Sequence, residues 1–266
     1  MRRLLQRFQR RVGQVARGTG QRAPLLGYVD PRALLRSEQL LRLGTDYGGW
    51  LIPLDCGLER ESLCYLAGAG EDITFDCALA ARFHCSVTII DPTPRAIRHF
   101  ENLNNAVEQG RRFPINNRAE EFYDIGADDL ARISFVPVGL GEHDAVLKFY
   151  LPKNAAHVSC SSVNLQKTEQ YFEAQCFRLT TLMARRGDRL PDLLKMDIEG
   201  AEYGVIRDLL DSNALPRILL VEFDEVHTPL DGDADERIRR HIRRLVEAGM
   251  RCIAIEGCNA SFVRAR

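Results

Sequence analysis

The chain has 266 residues, of which 45% are hydrophobic and 27% charged, and its formal net charge is −1. That is the make-up of a globular protein with a sizeable core, with no overall electrostatic bias toward nucleic acid. A membrane span is excluded as well, because no apolar run approaches the roughly 18 residues it needs.

The charge is unevenly placed: residues 1–22 hold seven arginines and no acid, leaving about −8 on the remainder. This opening stretch is interrupted by charge too often to be a secretory signal. A solvated basic helix is the expectation, and docking on an anionic membrane surface is the less favoured alternative. Residues 1–44 are read as a basic helical extension and residues 45–266 as the main domain. The eight cysteines include no C-x-x-C pair, and several fall within apolar strand or helix patterns. Reduced, buried thiols in a cytoplasmic protein are expected, rather than zinc ligands or disulfides.

Along the chain, Gly18–Pro24 reads as a linker, and Pro31–Leu43 has helical spacing opened by an Asp-Pro pair. Asp46-Tyr47-Gly48-Gly49-Trp50 is a tight loop into a short strand, Trp50–Pro53. From Ser62 onward, short apolar runs alternate with helix-length amphipathic stretches, the pattern of βαβ units and a mostly parallel sheet. Strands are predicted at Leu63–Ala67, Ser86–Asp91, Ile133–Val138, Leu193–Asp197, Ile218–Phe223, Arg251–Glu256 and Ala260–Val263. Helices are predicted at Ile73–Phe83, Arg95–Val107, Ala201–Leu210 and Glu236–Ala248. Lys148–Leu151 and Phe177–Thr180 read as edge strands or an inserted hairpin, and residues 152–170 as a polar loop of a length that is usually functional or disordered. Gly257-Cys258-Asn259 is the turn of a closing antiparallel hairpin. The fold class is therefore a doubly wound, seven-stranded α/β sheet.

The first strand runs into Ala67-Gly68-Ala69-Gly70-Glu71-Asp72, a glycine turn that lets backbone approach a ligand at a helix start. Asp91 closes the next strand, where an acid can accept hydrogen bonds from ribose hydroxyls. A dinucleotide fingerprint wants a third glycine where Ile73 stands. Glu71 and Asp72 would repel a pyrophosphate but suit a cationic ammonium or sulfonium, so S-adenosylmethionine is preferred over NAD. Asp72 can also serve as a helix cap.

Asp91-Pro92, the stretch Leu194-Lys195-Met196-Asp197-Ile198-Glu199-Gly200-Ala201-Glu202, and Leu220-Val221-Glu222-Phe223 resemble hallmark segments of FkbM-type methyltransferases, from about Asp46 onward. The resemblance implies a class I, Rossmann-like methyltransferase fold, S-adenosylmethionine as donor, and a hydroxyl acceptor on a sugar, polyketide or similar metabolite. By the same resemblance Gly68, Gly70 and Asp72 line the methionine part of the cofactor and Asp91 holds the ribose. Gly139, Leu140 and Gly141 pass near the adenine, and Asp197 sits close to the methyl group. Two stretches depart from the family pattern: Ala67–Asp72, where many members carry Asp-x-Gly-Ala-Asn, and Thr181-Leu182-Met183, where Thr-Leu-Asp is usual.

Methyl transfer to an alcohol needs a base, and Asp197 and Glu199 are the candidates at the carboxyl end of the fourth strand, with His227 as a third. For Glu202 a purely structural role at a helix start is preferred. Glu222 closes the fifth strand, and with Asp224, Glu225 and Asp197 it forms an acidic group that can bind a divalent cation; no spacing is diagnostic, and no metal is assigned. Ser161, Ser162 and Asn164, in the polar loop Asn154–Asn164, have the hydroxyl and amide groups to meet a hydroxylated acceptor. Tyr47 and Trp50 are candidates for stacking at the cofactor mouth, and anchoring of the N-terminal segment to the core explains them as well. Two other readings stand beside the enzyme: a non-catalytic S-adenosylmethionine-binding module serving a partner protein, and a nicotinamide oxidoreductase. Nucleic-acid methylation lacks an Asn/Asp-Pro-Pro-Tyr-like motif after the fourth strand.

Overall fold

The computed structural model describes residues 24–115, 121–154 and 160–264. The basic arm at 1–22, most of the Gly18–Pro24 linker and positions 155–159 of the polar loop lie outside the described residues.

Among the described residues, seven strands form the main sheet, in the order Met250–Glu256, Asn259–Arg264, Ile218–Glu222, Leu193–Met196, Leu63–Ala67, Ser86–Ile90 and Ile133–Val136. Its parallel part consists of β3 (Leu63–Ala67), β4 (Ser86–Ile90), β5 (Ile133–Val136), β9 (Leu193–Met196) and β10 (Ile218–Glu222). The central strands read as near-continuous apolar runs because both faces are covered, as parallel sheets require. Alternate residues feed two cores. Tyr65 and Ala67 join the side packed by α4 (Leu179–Arg186), α5 (Glu202–Asp211) and α6 (Ala234–Glu247). Cys64 and Leu66 join the side packed by α1 (Thr74–Phe83) and α2 (Pro94–Glu108). A single-turn helix, α3 (Ala127–Leu130), adds Leu130 to that second side.

The sheet ends as the sequence indicates. Strand β11 (Met250–Glu256) turns through Gly257 and Cys258 into β12 (Asn259–Arg264), which runs antiparallel to both β11 and β10. Gly257 has φ +61°, the left-handed conformation glycine supplies in a two-residue hairpin. The chain order reverses between β3 and β9, so the crevice at their carboxyl ends is the topological switch point where open α/β sheets take ligands.

Three expectations are corrected. Pro31–Leu43 is not a helix. Asp30 caps a turn through the Arg32 amide (2.9 Å), Ser37–Gln39 makes one 3-10 turn, and β1 (Leu40–Leu43) pairs antiparallel with β2 (Trp50–Pro53). The spacing of Leu41 and Leu43 serves a strand as readily as a helix, and both pack on the α1 side of the core. The boundary expected at residue 44 thus falls in the turn of a hairpin, and Leu25 and Leu34 are buried in the main core. Second, the strand expected over Ile133–Val138 stops at Val136. Pro137 has no N–H for the ladder, and the Val138 amide folds back onto the Val136 carbonyl at 2.9 Å. Third, the gap before β9, expected to hold edge strands or an inserted hairpin, holds an antiparallel pair joined by one further strand. It contains β6 (Gly139–Leu140), β7 (Ala145–Tyr150) and β8 (Tyr171–Phe177) as a separate three-stranded sheet. The chain becomes helical from Leu179, whose side chain is buried with that of Leu182, until Gly187 caps α4 at φ +70°.

All eight cysteines are free thiols and seven are buried. No helix among the described residues is long and apolar enough to cross a membrane.

Candidate active site

At the switch point the backbones of the two central turns nearly touch. Gly68, at φ +83°, lies so close to the Asp197 carbonyl that a Cβ there would fall 1.7 Å from its oxygen. No other residue fits. The crevice above them is a cavity of about 220 Å³.

The glycine turn is braced from below by Asp91, which is 4% exposed. One of its carboxylate oxygens accepts the Ala69 and Gly70 amides (2.8 and 3.2 Å), and the other accepts the Thr93 amide (2.7 Å). Thr93 then caps α2, with Pro94 at its first turn. Asp72 bonds the Thr74 amide and hydroxyl with one oxygen (3.1 and 2.6 Å) and accepts the Thr45 hydroxyl with the other (2.5 Å). It therefore works as a helix-start acid and also as a bridge to the β1–β2 turn. Glu71 lines the cavity, but its carboxylate is held in a bidentate pair by Arg95 (2.9 and 2.6 Å). This compensates the charge that the sequence reading offered to a cofactor cation, which leaves that attraction to Asp72 and the acids across the cavity.

Those acids follow β9 and β10. Glu199 adopts φ +55° and Gly200 φ +95°, a left-handed pair of the kind that recurs at functional turns. The Ser161 hydroxyl donates to the Glu199 carbonyl, and the Glu202 carboxylate accepts the Gly200 amide (2.8 Å). Glu222 accepts the Cys258 thiol at 3.0 Å. Burial first, then the neighbouring Asp197 charge, pushes the Glu222 carboxyl well above the usual range. Asp224 is raised likewise by burial and by Glu199 and Glu222. Glu202, fully buried, is pushed up to about 8 by burial. The cation opposed to this cluster is Lys195, 5% exposed within an apolar strand. Its ammonium donates to the Gly68 carbonyl and lies 3.2 Å from Asp197 Oδ2. Burial pulls Lys195 down, but the Asp197 and Asp76 charges outweigh it and hold the group above the ordinary lysine value.

The structure thus gathers Gly68, Gly70, Glu71, Asp72 and Asp91 on one side of the cavity. Asp197, Glu199 and Glu222 face them, with Gly139, Leu140 and Ser162 on the remaining wall. It does not bring in His227, which is exposed beyond the 3-10 turn Asp224–Val226 and lines no part of the cavity. Ser161 and Asn164 also lie off its lining: Ser161 supports the Glu199 turn, and Asn164 spends its amide on Thr168 within its own loop (2.9 Å twice). Trp50 is buried at 2% exposure under the Lys195 ammonium, 5.9 Å from its ring, rather than at a mouth. Tyr47, by contrast, does line the cavity. Sequence reasoning assigned no part to Lys195, whose signal was a charge inside an otherwise apolar strand, or to Phe149 and Cys160. Among the described residues no group of three or more His, Cys, Asp or Glu side chains is arranged to hold a metal ion.

A doubly wound sheet closed by this hairpin, with a carboxylate-lined crevice at its switch point, defines a class I S-adenosylmethionine-dependent methyltransferase. The model of the methyltransferase FkbM domain matches residues 55–250, and the chain belongs to that family. No curated protein matches the sequence. Among solved structures, fibrillarin from Aeropyrum pernix with natively bound S-adenosyl-L-methionine is similar at 13% identity and a TM-score of 0.41, over 79% of this chain and 68% of that one. The fibrillarin pre-rRNA processing protein of Methanococcus jannaschii gives 12% identity and a TM-score of 0.40, over 77% of this chain and 66% of that one. The chain thus spans about two thirds of the length of these fibrillarins.

Proposed function

We propose that this methyltransferase transfers the methyl group of S-adenosylmethionine to a hydroxyl of a sugar, polyketide or similar metabolite. The observation that carries the reading is the pair Asp197 and Glu222, which stand at the carboxyl ends of the adjacent strands β9 and β10 and both line the cavity. An alcohol must lose its proton as its oxygen takes the methyl, and a carboxylate within reach supplies the base. Asp197 is the group assigned to that step, with Lys195 fixing one of its oxygens.

The lining suits the cofactor. Asp72, Asp197 and Glu199 give a negative field that favours a sulfonium and an ammonium and disfavours a pyrophosphate. Leu140, Ile90 and Phe149 offer apolar surface for an adenine. On this reading Gly68, Gly70 and Asp72 hold the methionine part and Asp91 the ribose, while Gly139 and Leu140 pass the base and Asp197 faces the methyl. When bound, the cofactor supplies an electrophilic methyl carbon. The chain's own residues orient it and receive the acceptor's proton. The same acids support an acceptor without phosphate at the reacting end, and so a small molecule or glycan rather than nucleic acid. A non-catalytic binding module would have a closed acceptor side; here the lining includes Tyr47, which is 67% exposed.

The test is methyl transfer from tritiated S-adenosylmethionine to fractionated cell extract, with the product identified by mass. Label on a hydroxyl oxygen of a metabolite or glycan is expected. Label confined to nitrogen, to nucleic acid, or absent with cofactor bound, would refute the reading.

A further inference from the structure

One wall of the cavity comes from outside the matched family domain. The turn Thr45–Gly49 joins β1 to β2 and precedes residues 55–250, yet Tyr47 and Gly48 line the same cavity as Asp197 and Glu222.

The turn is built to hold one position. Thr45 is its hub: its hydroxyl donates to Asp72 (2.5 Å) and accepts the amides of Gly48 (2.9 Å) and Tyr47 (3.3 Å). The Thr45 amide donates to the Thr74 hydroxyl at 3.0 Å, so both ends of the contact rest on the start of α1. The flanking glycines make this closeness possible. A Cβ on Gly48 would lie 2.6 Å from Asp72 Cγ, and one on Gly49 would lie 2.3 Å from the Thr45 carbonyl oxygen. Tyr47 itself is 67% exposed, so core packing does not account for where it stands. Its phenol faces carboxylates: partial burial, then the charges of Asp197, Glu222, Glu199 and Asp72, raise it above the ordinary tyrosine value.

We propose that the Thr45–Gly49 turn is the acceptor-side wall of the site and that Tyr47 selects an unphosphorylated sugar ring as the acceptor, with the Thr45–Asp72 bond tying the turn to the cofactor turn. This rests on the hydroxyl-acceptor reading above. A tyrosine at a cavity rim offers a flat apolar face beside a hydroxyl, which matches a pyranose: carbon–hydrogen face on one side, hydroxyls at its edge. A ring laid on Tyr47 presents edge hydroxyls toward Asp197 and Glu222. The Asp72, Asp197 and Glu199 carboxylates in the same lining repel a phosphorylated sugar.

The test uses the full chain saturated with S-adenosylhomocysteine, with methyl glucoside, methyl galactoside and methyl mannoside as ring probes and glycerol as the acyclic control. Binding is read by ligand-observed NMR. Wild type should bind at least one glycoside saturably, and Tyr47→Ala should weaken it about tenfold or more, while Tyr47→Phe, which keeps the face, stays within about threefold. Thr45→Val, which frees the turn, should weaken the glycoside and speed amide exchange at Tyr47 and Gly48. Calorimetry on the same samples should show S-adenosylhomocysteine affinity unchanged in Tyr47→Ala. No glycoside binding by wild type, equal binding by Tyr47→Ala, or loss of glycerol and glycoside together would overturn the proposal. Tyr47-dependent glycoside binding without any methylated hydroxyl would instead sink the hydroxyl-acceptor reading and leave the sugar-binding wall standing.

Discussion

The Lys195 ammonium sits 3.2 Å from the Asp197 carboxylate, and through its bond to the Gly68 carbonyl it joins the turns after β9 and β3. Two loops that meet only in the folded state are thereby fixed to each other at the point where the sheet order reverses. Lys195→Met should leave the acids beside it without their buried cation. Asp197 is one-third exposed and recovers some hydration, so the expected cost is about 2–3 kcal/mol, below the full value for breaking a buried pair. Urea denaturation measures it. Lys195→Arg should lose less than Lys195→Met, and equal losses would mean that packing rather than charge is at stake.

Asp91 carries two loads. Replacing it with Ala removes the acceptor for three amides, those of Ala69 and Thr93, which are buried, and that of Gly70, which is partly buried. Stability should fall by roughly 1–3 kcal/mol, the cost of leaving buried donors unpaired. Affinity for S-adenosylhomocysteine should fall in the same protein, because the glycine turn loosens and, on the reading proposed above, because a ribose partner is lost. Thermal melts and calorimetry read the two effects separately. A variant that melts like wild type would show that the turn does not depend on Asp91.

For the chemical step, Asp197→Asn keeps the side-chain shape and removes proton acceptance. Turnover at saturating cofactor and acceptor should drop about 10²–10⁴-fold, the usual contribution of general base catalysis. Glu222→Gln keeps the side-chain shape beside Asp197 and should cost less. If Glu222→Gln is the more damaging, the two carboxylates exchange roles. Full turnover by Asp197→Asn removes it as the base.

Glu202 gives the stability a pH dependence of definite sign. It is fully buried, and burial raises its carboxyl to about 8 from an ordinary 4.5. The folded state therefore binds the proton more tightly than the unfolded chain, and the stability this contributes is complete below about 4.5 and is lost as pH rises to about 8. Glu202→Gln retains an oxygen for the Gly200 amide and has nothing to ionise. Its melting temperature should exceed that of wild type at pH 9, and the gap should close toward pH 5. A constant difference across that range would place the effect in packing.

Much of the sheet was legible in the sequence, because its central strands are buried on both faces and must be apolar throughout. Leu63–Ala67, Ser86–Ile90 and Ile218–Glu222 carry that demand in their composition, and the glycine turn and the acid ending β4 mark the ligand end of such a sheet. Local spacing also revealed α1, α2, α5 and α6, the last three each with one apolar stripe. It misread Leu40–Leu43, where three leucines in four residues satisfy a strand and a helix equally. Only pairing with Trp50–Pro53, itself packed on the core, decides between them. Partnership was likewise invisible. The pairing of Glu71 with Arg95, the bond from Thr45 to Asp72 and the contact of Lys195 with Asp197 and Gly68 set the charge and shape of the site. Most of these contacts span 24 residues or more. A side chain's type is written in the chain, but the field around it depends on which distant groups the packed sheet brings within a few ångströms, and that is fixed only when the two cores close.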